Sequence, residues 1–495
     1  NIGGGGFMTI KIDQEVAFLD YREKAPLTAH KNMYLNDQGD VVDNITLIGG
    51  QAAGVPGTVA GFWEAHQRYG QLPWKDLVQP AIELADKGFM PAPILVESIH
   101  SMEQRFEGKT NFNDYFNSIS SDSLFRQPEL ANTLRRIAEF GADDFYRGET
   151  AALIVQQMEK SNGLISLEDL DAYAAVWRAP VRAGWRDYEI ISAPPPSSGG
   201  FAIVQLLKMK DYLSELFEGV EHNSAQYIHL VAEMEKRVFA DRAEYLGDPD
   251  FFDIDIDALI DDDYLARRAA EVNPKAISVL DSINPGLESP NTTHYSIVDQ
   301  WGNAVSNTYT INWDYGSGVV VGGAGFLLNN EMDDFSAKPG TPNIYGVVGS
   351  VANEIQPGKR MLSSMSPTIV LKDGEVEMVL GTPGGSTIFT TVFQVITNIL
   401  DFGMSVEEAI GIARFHHQLV PPDLITYSGF TIDQHLPKVT VGDLSEKGYR
   451  SEPHSFEYGD VQIIVRSGDS WIAASDPRDR GQSRVFEVTT KTRDR

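Results

Sequence analysis

Apolar and polar residues alternate in two short runs near the start of the chain, residues 7–12 and 16–21, and predict two strands. From Thr58 the spacing becomes helical, through Thr58-Val59-Ala60-Gly61-Phe62-Trp63-Glu64-Ala65 and again over residues 77–84. Ser166-Leu167-Glu168-Asp169 reads as a helix N-cap with an acidic first turn. Residues 201–209 and 227–239 predict further helices, and residues 188–192 a strand. The pattern stops at residues 272–291, where Pro274, Pro285 and Pro290 stand among Asn and Ser without periodicity; this reads as a mobile connector. Strand patterns follow. Residues 293–299 and 303–312 flank Gln300-Trp301-Gly302, and residues 368–371 and 376–380 flank an Asp373-Gly374 turn. Residues 387–400 form an apolar helix, and Ser405-Val406-Glu407-Glu408 is a capping box for another. Strand pairs followed by helices predict an α+β architecture of sheets covered by helices.

The length of 495 residues predicts two structural parts or one large layered domain with a substantial core. The net charge of −30 argues against nucleic acid and anionic membrane surfaces, both of which need clustered Lys and Arg. The chain has no cysteine, which excludes disulfides, thiolate catalysis and Cys-ligated zinc. It has no apolar run of about 18 residues, so no membrane span is expected. It shows no signal-peptide pattern and opens on Asn1-Ile2 and four glycines, as if partway through a longer protein.

Four segments bear on chemistry. In Asn291-Thr292-Thr293-His294 a loose connector meets a strand; cutting the bond before Thr292 would place an α-amino base beside its hydroxyl, although Thr-Thr is also simply a good strand start. Gly381-Thr382-Pro383-Gly384-Gly385-Ser386 precedes a helix and suits an oxyanion hole, an anion site or a tight strand-to-helix turn. Lys359-Arg360-Met361-Leu362-Ser363-Ser364-Met365-Ser366-Pro367 sets hydroxyls beside cations, as a carboxylate site or a polar loop. Asn329-Asn330-Glu331-Met332-Asp333-Asp334 suits an ammonium group, a divalent cation or a surface turn, and lacks EF-hand spacing. Two other features point away from cofactors. His416 and His417 are adjacent, and on a helix would diverge by about 100°. The Gly3-Gly4-Gly5-Gly6 run leads into a strand rather than a helix, which is the wrong context for a dinucleotide loop.

Together these segments resemble the γ-glutamyltransferase (γ-glutamyl transpeptidase) family of Ntn hydrolases almost end to end. The resemblance is carried by the four-glycine run with Phe7-Met8, Tyr21-Arg22-Glu23-Lys24-Ala25-Pro26, Pro56-Gly57-Thr58-Val59-Ala60-Gly61-Phe62 and Pro194-Pro195-Pro196-Ser197-Ser198-Gly199-Gly200. Thr292-Thr293-His294-Tyr295-Ser296, Leu328-Asn329-Asn330-Glu331-Met332-Asp333-Asp334-Phe335, Met361-Leu362-Ser363-Ser364-Met365-Ser366-Pro367 and Pro383-Gly384-Gly385-Ser386 complete it. It implies a four-layer αββα sandwich of two mainly antiparallel sheets. It also implies a precursor that cleaves itself between Asn291 and Thr292, into a large subunit (1–291) and a small catalytic subunit (292–495).

By the family pattern Thr292 is the nucleophile, Thr310 orients it, and Gly384 and Gly385 form the oxyanion hole. Arg22, Ser363 and Ser364 take the donor's α-carboxylate, Asn312, Glu331 and Asp334 its α-amino group, and Tyr345 belongs to a lid over residues 339–349. The implied donors are glutathione and glutamine-like amides, and the acceptors are water, amino acids or peptides. No cofactor or metal is expected, and the location is periplasmic or secreted. Relative to the family, a segment ahead of the glycine run is missing, and Glu331 stands where some bacterial relatives carry Gln. The rival readings are a cephalosporin or glutaryl acylase, a capsule-anchoring γ-polyglutamate transpeptidase and a non-catalytic binding relative.

Overall fold

Fourteen strands order the chain in the computed structural model, which describes residues 2–279, 292–338, 340, 349–428, 435–454, 459–478 and 481–487. They are β1 Gly5–Ile12, β2 Glu15–Tyr21, β3 Val176–Arg178, β4 Val181–Trp185, β5 Tyr188–Ser192, β6 Thr292–Val298 and β7 Ala304–Thr310. Then come β8 Thr368–Lys372, β9 Glu375–Gly381, β10 Arg414–His416, β11 Leu424–Ser428, β12 Arg450–Pro453, β13 Gln462–Ser467 and β14 Ser470–Ser475. Among the described residues they form a five-stranded sheet (β3-β2-β1-β7-β6), a six-stranded sheet (β14-β13-β9-β8-β5-β4) and a small β10-β11-β12 sheet. The two large sheets are antiparallel throughout; only β11 and β12 pair in parallel.

The strand period of two explains the stacking. From β1, Phe7 faces inward with Phe18 and meets Ala193, Met365 and Ile388 from the other side. Met8 and Ile10 face outward beneath Phe62 and Tyr69 of the Thr58–Tyr69 helix. On the six-stranded sheet, Ile190, Val370, Met378 and Leu380 pack under the helices Gly199–Tyr212, Ala225–Tyr245 and Ile388–Leu400. Ile191, Ile369, Val379 and Ala304 fill the gap between the sheets. This is the helix–sheet–sheet–helix sandwich that the resemblance implies.

Several elements agree with the sequence reading, including the N-cap at Ser166, which also closes a capping box with Asp169, and the capping box at Ser405 with Glu408. His416 ends strand β10. Its ring bonds Thr390 Oγ1 and Gln418 Oε1, each at 3.0 Å, while the ring of His417 bonds Pro422 O and the Leu419 N–H. Burial lowers the two pKa values to about 4 and about 3, so both rings are neutral parts of the core.

The glycine run is explained by close approach. A Cβ on Gly4 would lie 1.8 Å from the carbonyl oxygen of Thr310, and one on Gly6 2.4 Å from that of Thr308. β1 can therefore lie against the end of β7 only without side chains. Gly4→Ala is expected to cost about 1–3 kcal/mol by overpacking, read as a lower Tm, and to weaken activity because Thr310 shifts with its strand.

Of the predicted connector, residues 280–291 lie outside the described residues. Its first part is held to the Ala225–Tyr245 helix by bonds from His229 and Lys236 to the carbonyl oxygens of Asn273 and Ser278.

Candidate active site

Thr292 is the first residue of the edge strand β6, and its ladder partner is Thr310 at the end of β7. Directly opposed residues of an antiparallel pair project to the same side. By the period of two, Thr292 shares its side with His294, which stands against Gly381 of the opposite sheet, and with Ser296, whose hydroxyl bonds Gln462 O across the gap at 3.1 Å. Thr292 therefore faces the space between the sheets at its open end. Thr310 Oγ1 accepts a hydrogen bond from the Asn312 N–H at 2.7 Å, which fixes that hydroxyl.

His294 is no base for this threonine. Its ring bonds Thr308 Oγ1 at 2.8 Å and Ser296 Oγ at 3.1 Å, and burial drops its pKa to about 3.

A small pocket opens at this point. It is lined by Thr292, Thr310, Arg22, Asn312, Glu331, Asp334, Ser363, Ser364 and Gly385, so nine of the residues singled out in the sequence converge on one cavity. Gly384 adjoins it. With φ of +141° at Gly384 and +57° at Gly385, the pair turns the chain from β9 into a single 3-10 turn, Gly385–Thr387, which leads into the Ile388–Leu400 helix. The helix begins at Ile388, one residue later than the sequence suggested. Thr387 locks this turn by donating from its N–H and its hydroxyl to Gly384 O, at 3.1 and 2.8 Å. Asn291 and Tyr345 lie outside the described residues.

The charged part of the site is built around Arg22. Its backbone N–H donates to Asp20 Oδ1 at 2.9 Å, and its carbonyl accepts from the Tyr173 hydroxyl at 2.9 Å. Its guanidinium bonds Glu331 and Asp334 and lies 3.4 Å from Glu23. Burial raises the pKa of all three carboxyls, while the charge of Arg22 pulls each of them down. One Glu331 oxygen, Oε2, is buried with no hydrogen-bond partner. Arg22 and the two acidic residues thus pair with one another, and any charged ligand of these groups must exchange with that pairing.

Not every polar residue of the candidate segments reaches the pocket. Asn329 bonds Gly3 O and Gly54 O, Asn330 bonds Leu47 O, and Asp333 takes the Thr46 hydroxyl. Lys359 bonds Ala352 O and Glu354 O, and Arg360 pairs with Asp20. The cations beside the serines are structural. Besides Arg22, the cation that lines the pocket is Arg242, which the sequence reading passed over. Its signal was present: Glu235 and Arg242 stand seven apart, on one face of a helix whose neighbours on that face are apolar.

The comparisons with known proteins bear directly on this arrangement. The family model for gamma-glutamyltranspeptidase matches residues 1–486. The chain belongs to the γ-glutamyltranspeptidase family. It is 56% identical to a protein of Pseudomonas aeruginosa named glutathione hydrolase proenzyme, over 98% of this chain and 87% of that one. It is 43% identical to the Escherichia coli protein of the same name, over 97% and 83%. The solved gamma-glutamyltranspeptidase of Pseudomonas nitroreducens complexed with L-DON is 54% identical, with a TM-score of 0.55 over 56% of this chain and 83% of that one. A cephalosporin acylase from Bacillus halodurans superposes over 99% of this chain and 88% of its own, with a TM-score of 0.83 at 23% identity. That last likeness concerns the fold alone, so the much higher identity to glutathione hydrolases favours this family's activity over the acylase reading.

Proposed function

We propose that this member of the family is a self-cleaving γ-glutamyltransferase acting on glutathione or related γ-glutamyl amides. The observation that carries the reading is that Thr292 opens onto a pocket holding Arg22 with two serine hydroxyls and Glu331 with Asp334. These are complementary groups for the two charges of a free amino acid end, placed beside a threonine that begins a strand.

In the maturation step Thr292 Oγ attacks the Asn291 carbonyl. A C–O bond forms, the C–N bond breaks, and water opens the resulting ester to leave residues 1–291 and 292–495 as two subunits. In turnover the freed α-amino group takes the Thr292 hydroxyl proton as Oγ attacks the γ-carbonyl. The N–H groups of Gly384 and Gly385 receive the oxyanion. The protonated amine returns its proton to the leaving amine. The γ-glutamyl ester then passes to water, an amino acid or a peptide. Arg22, Ser363 and Ser364 hold the donor's α-carboxylate; Asn312, Glu331 and Asp334 hold its α-ammonium group. The periplasm or the exterior is the proposed location. Among the described residues no helix is long and apolar enough to cross a membrane, and no group of three His, Asp or Glu is placed to hold a metal ion.

Incubation with γ-glutamyl-p-nitroanilide, with and without a dipeptide acceptor, tests the reading. Nitroaniline release that accelerates with the dipeptide is expected; no release by the split protein overturns it. A pH profile adds detail. A free α-amino group has a reference pKa of about 7.7–8.0, so kcat is expected to climb through the neutral to mildly alkaline range as the base loses its proton. Glu331 has its carboxyl pKa raised, so it keeps its proton to higher pH and grips the ammonium only above that point. An additional rise in kcat/KM from this group should disappear in Glu331→Gln, while the rise in kcat stays. A flat kcat profile would count against the amine.

A further inference from the structure

We infer that Arg242 is a specificity-determining positioning residue: it sets the Ser364 hydroxyl as a donor to the substrate's α-carboxylate. The inference rests on the γ-glutamyl reading above and deepens it.

The argument is one of donors and acceptors. A guanidinium can only donate. Arg242 is buried at the end of the Ala225–Tyr245 helix and lines the pocket. Its Nε donates to Ser198 Oγ at 3.1 Å and its Nη2 to Ser364 Oγ at 3.4 Å. Both serines therefore accept. Ser198 has one hydroxyl hydrogen, and its nearer acceptor is Ser363 O at 3.0 Å, with Ser364 Oγ farther away at 3.5 Å. Ser364, accepting from Arg242, has its own hydrogen left for a group on the pocket side. A hydroxyl so polarised suits an anion and disfavours a neutral or cationic group at that position.

Ser198 also gives the Pro194-to-Gly200 segment a task that its sequence did not disclose. Its backbone N–H donates to Ser363 O at 2.8 Å, and the Ser363 N–H donates back to Pro196 O at 2.8 Å. The segment thus clamps the two-serine loop, and Arg242 orients the hydroxyls within the clamp. Arg242 also faces Asp334 and favours its ionised form, so the charge and the bridging geometry must be tested separately.

The experiment compares Arg242→Met, Arg242→Lys, Ser198→Ala, Ser364→Ala and the Arg242→Met/Ser364→Ala double variant on two donors. These are γ-glutamyl-p-nitroanilide and 4-aminobutyryl-p-nitroanilide, which is the same donor without its α-carboxylate. Arg242→Met is expected to raise KM for the glutamyl donor about tenfold, the size of one charge-assisted hydrogen bond, with kcat changed much less. The kcat/KM on the aminobutyryl donor should stay within about twofold, and the double variant should match Ser364→Ala. Arg242→Lys keeps the charge beside Asp334 but loses the rigid planar fork that holds the two hydroxyls in one geometry, so most of the KM rise should persist. If lysine restores the wild-type KM, the charge alone matters and the inference falls. It also falls if both donors weaken equally or if the Arg242 and Ser364 losses multiply. Splitting into two subunits and Tm report whether each variant folds. If neither Arg242 variant splits, Ser198→Ala decides: a glutamyl-selective rise in KM supports the inference and an unchanged KM refutes it. A wild-type protein inactive on both donors would instead sink the γ-glutamyl reading itself.

Discussion

Replacing Thr292 with alanine is expected to leave the protein as one unbroken chain without measurable γ-glutamyl activity. Both proposed reactions draw on the same oxygen, first against the Asn291 carbonyl and then against the donor. The ladder supports this, because Thr292 is the β6 residue opposite Thr310 and lines the pocket with Gly385. The next two residues of the strand are not placed to substitute: His294 is neutral and held by Thr308 and Ser296, and Thr293 projects to the other side of the strand. Thr292→Ser keeps a hydroxyl and should split, more slowly. Denaturing electrophoresis after purification reads both variants. Normal splitting of the alanine variant would remove Thr292 from both roles.

The second large effect concerns Asp334→Asn, which keeps the shape of the side chain and removes its charge. A charge-assisted bond of this type contributes about 1.5–3 kcal/mol, or roughly one to two powers of ten. At least a tenfold loss of kcat/KM on γ-glutamyl donors is therefore expected. Self-cleavage should continue, since it involves no free amino acid. The structure adds a term with the opposite sign: Asp334 is also a partner of Arg22, so the variant frees part of that guanidinium for the donor's carboxylate. Glutaryl donors carry the carboxyl but lack the ammonium. They should lose far less than glutamyl donors, and a gain there is the expected mark of the released Arg22. Equal losses on both donors would mean that Asp334 supports the fold or Thr292 instead of reading the amino group.

Local signals in the sequence were reliable where one rule decided the outcome. The capping boxes at Ser166 and Ser405 need only a hydroxyl and a carboxylate three residues apart, and the β6–β7 and β8–β9 hairpins follow from alternation around short turns. The membership of the pocket was legible through resemblance, residue by residue. Its wiring was not. That Arg22 bonds the very acids assigned to the ammonium group depends on a contact between residues 309 positions apart, which no local pattern encodes. Arg242 escaped notice because the Ala225–Tyr245 helix is buried on nearly every side, so charged residues there do not mark a solvent face. The Asn329-Asn330 pair and Lys359-Arg360 misled in the other direction: polar residues that look available are consumed by backbone groups of distant loops.

The central place of β7 has a consequence for timing. One of its edges pairs with β1 and the other with β6, so Thr310 is bound at once to Gly5 and to Thr292. Thr9 further reaches the Pro367 carbonyl, 358 positions away. During synthesis β1 must therefore wait for β7 and for the Pro367 segment before it can be enclosed, and the proposed cut cannot be set up before β7 is made. A ribosome stalled ahead of β7 would release an intact, silent polypeptide. The break before Thr292 would then act as a receipt for completed folding, issued only when strands far apart in the sequence have met.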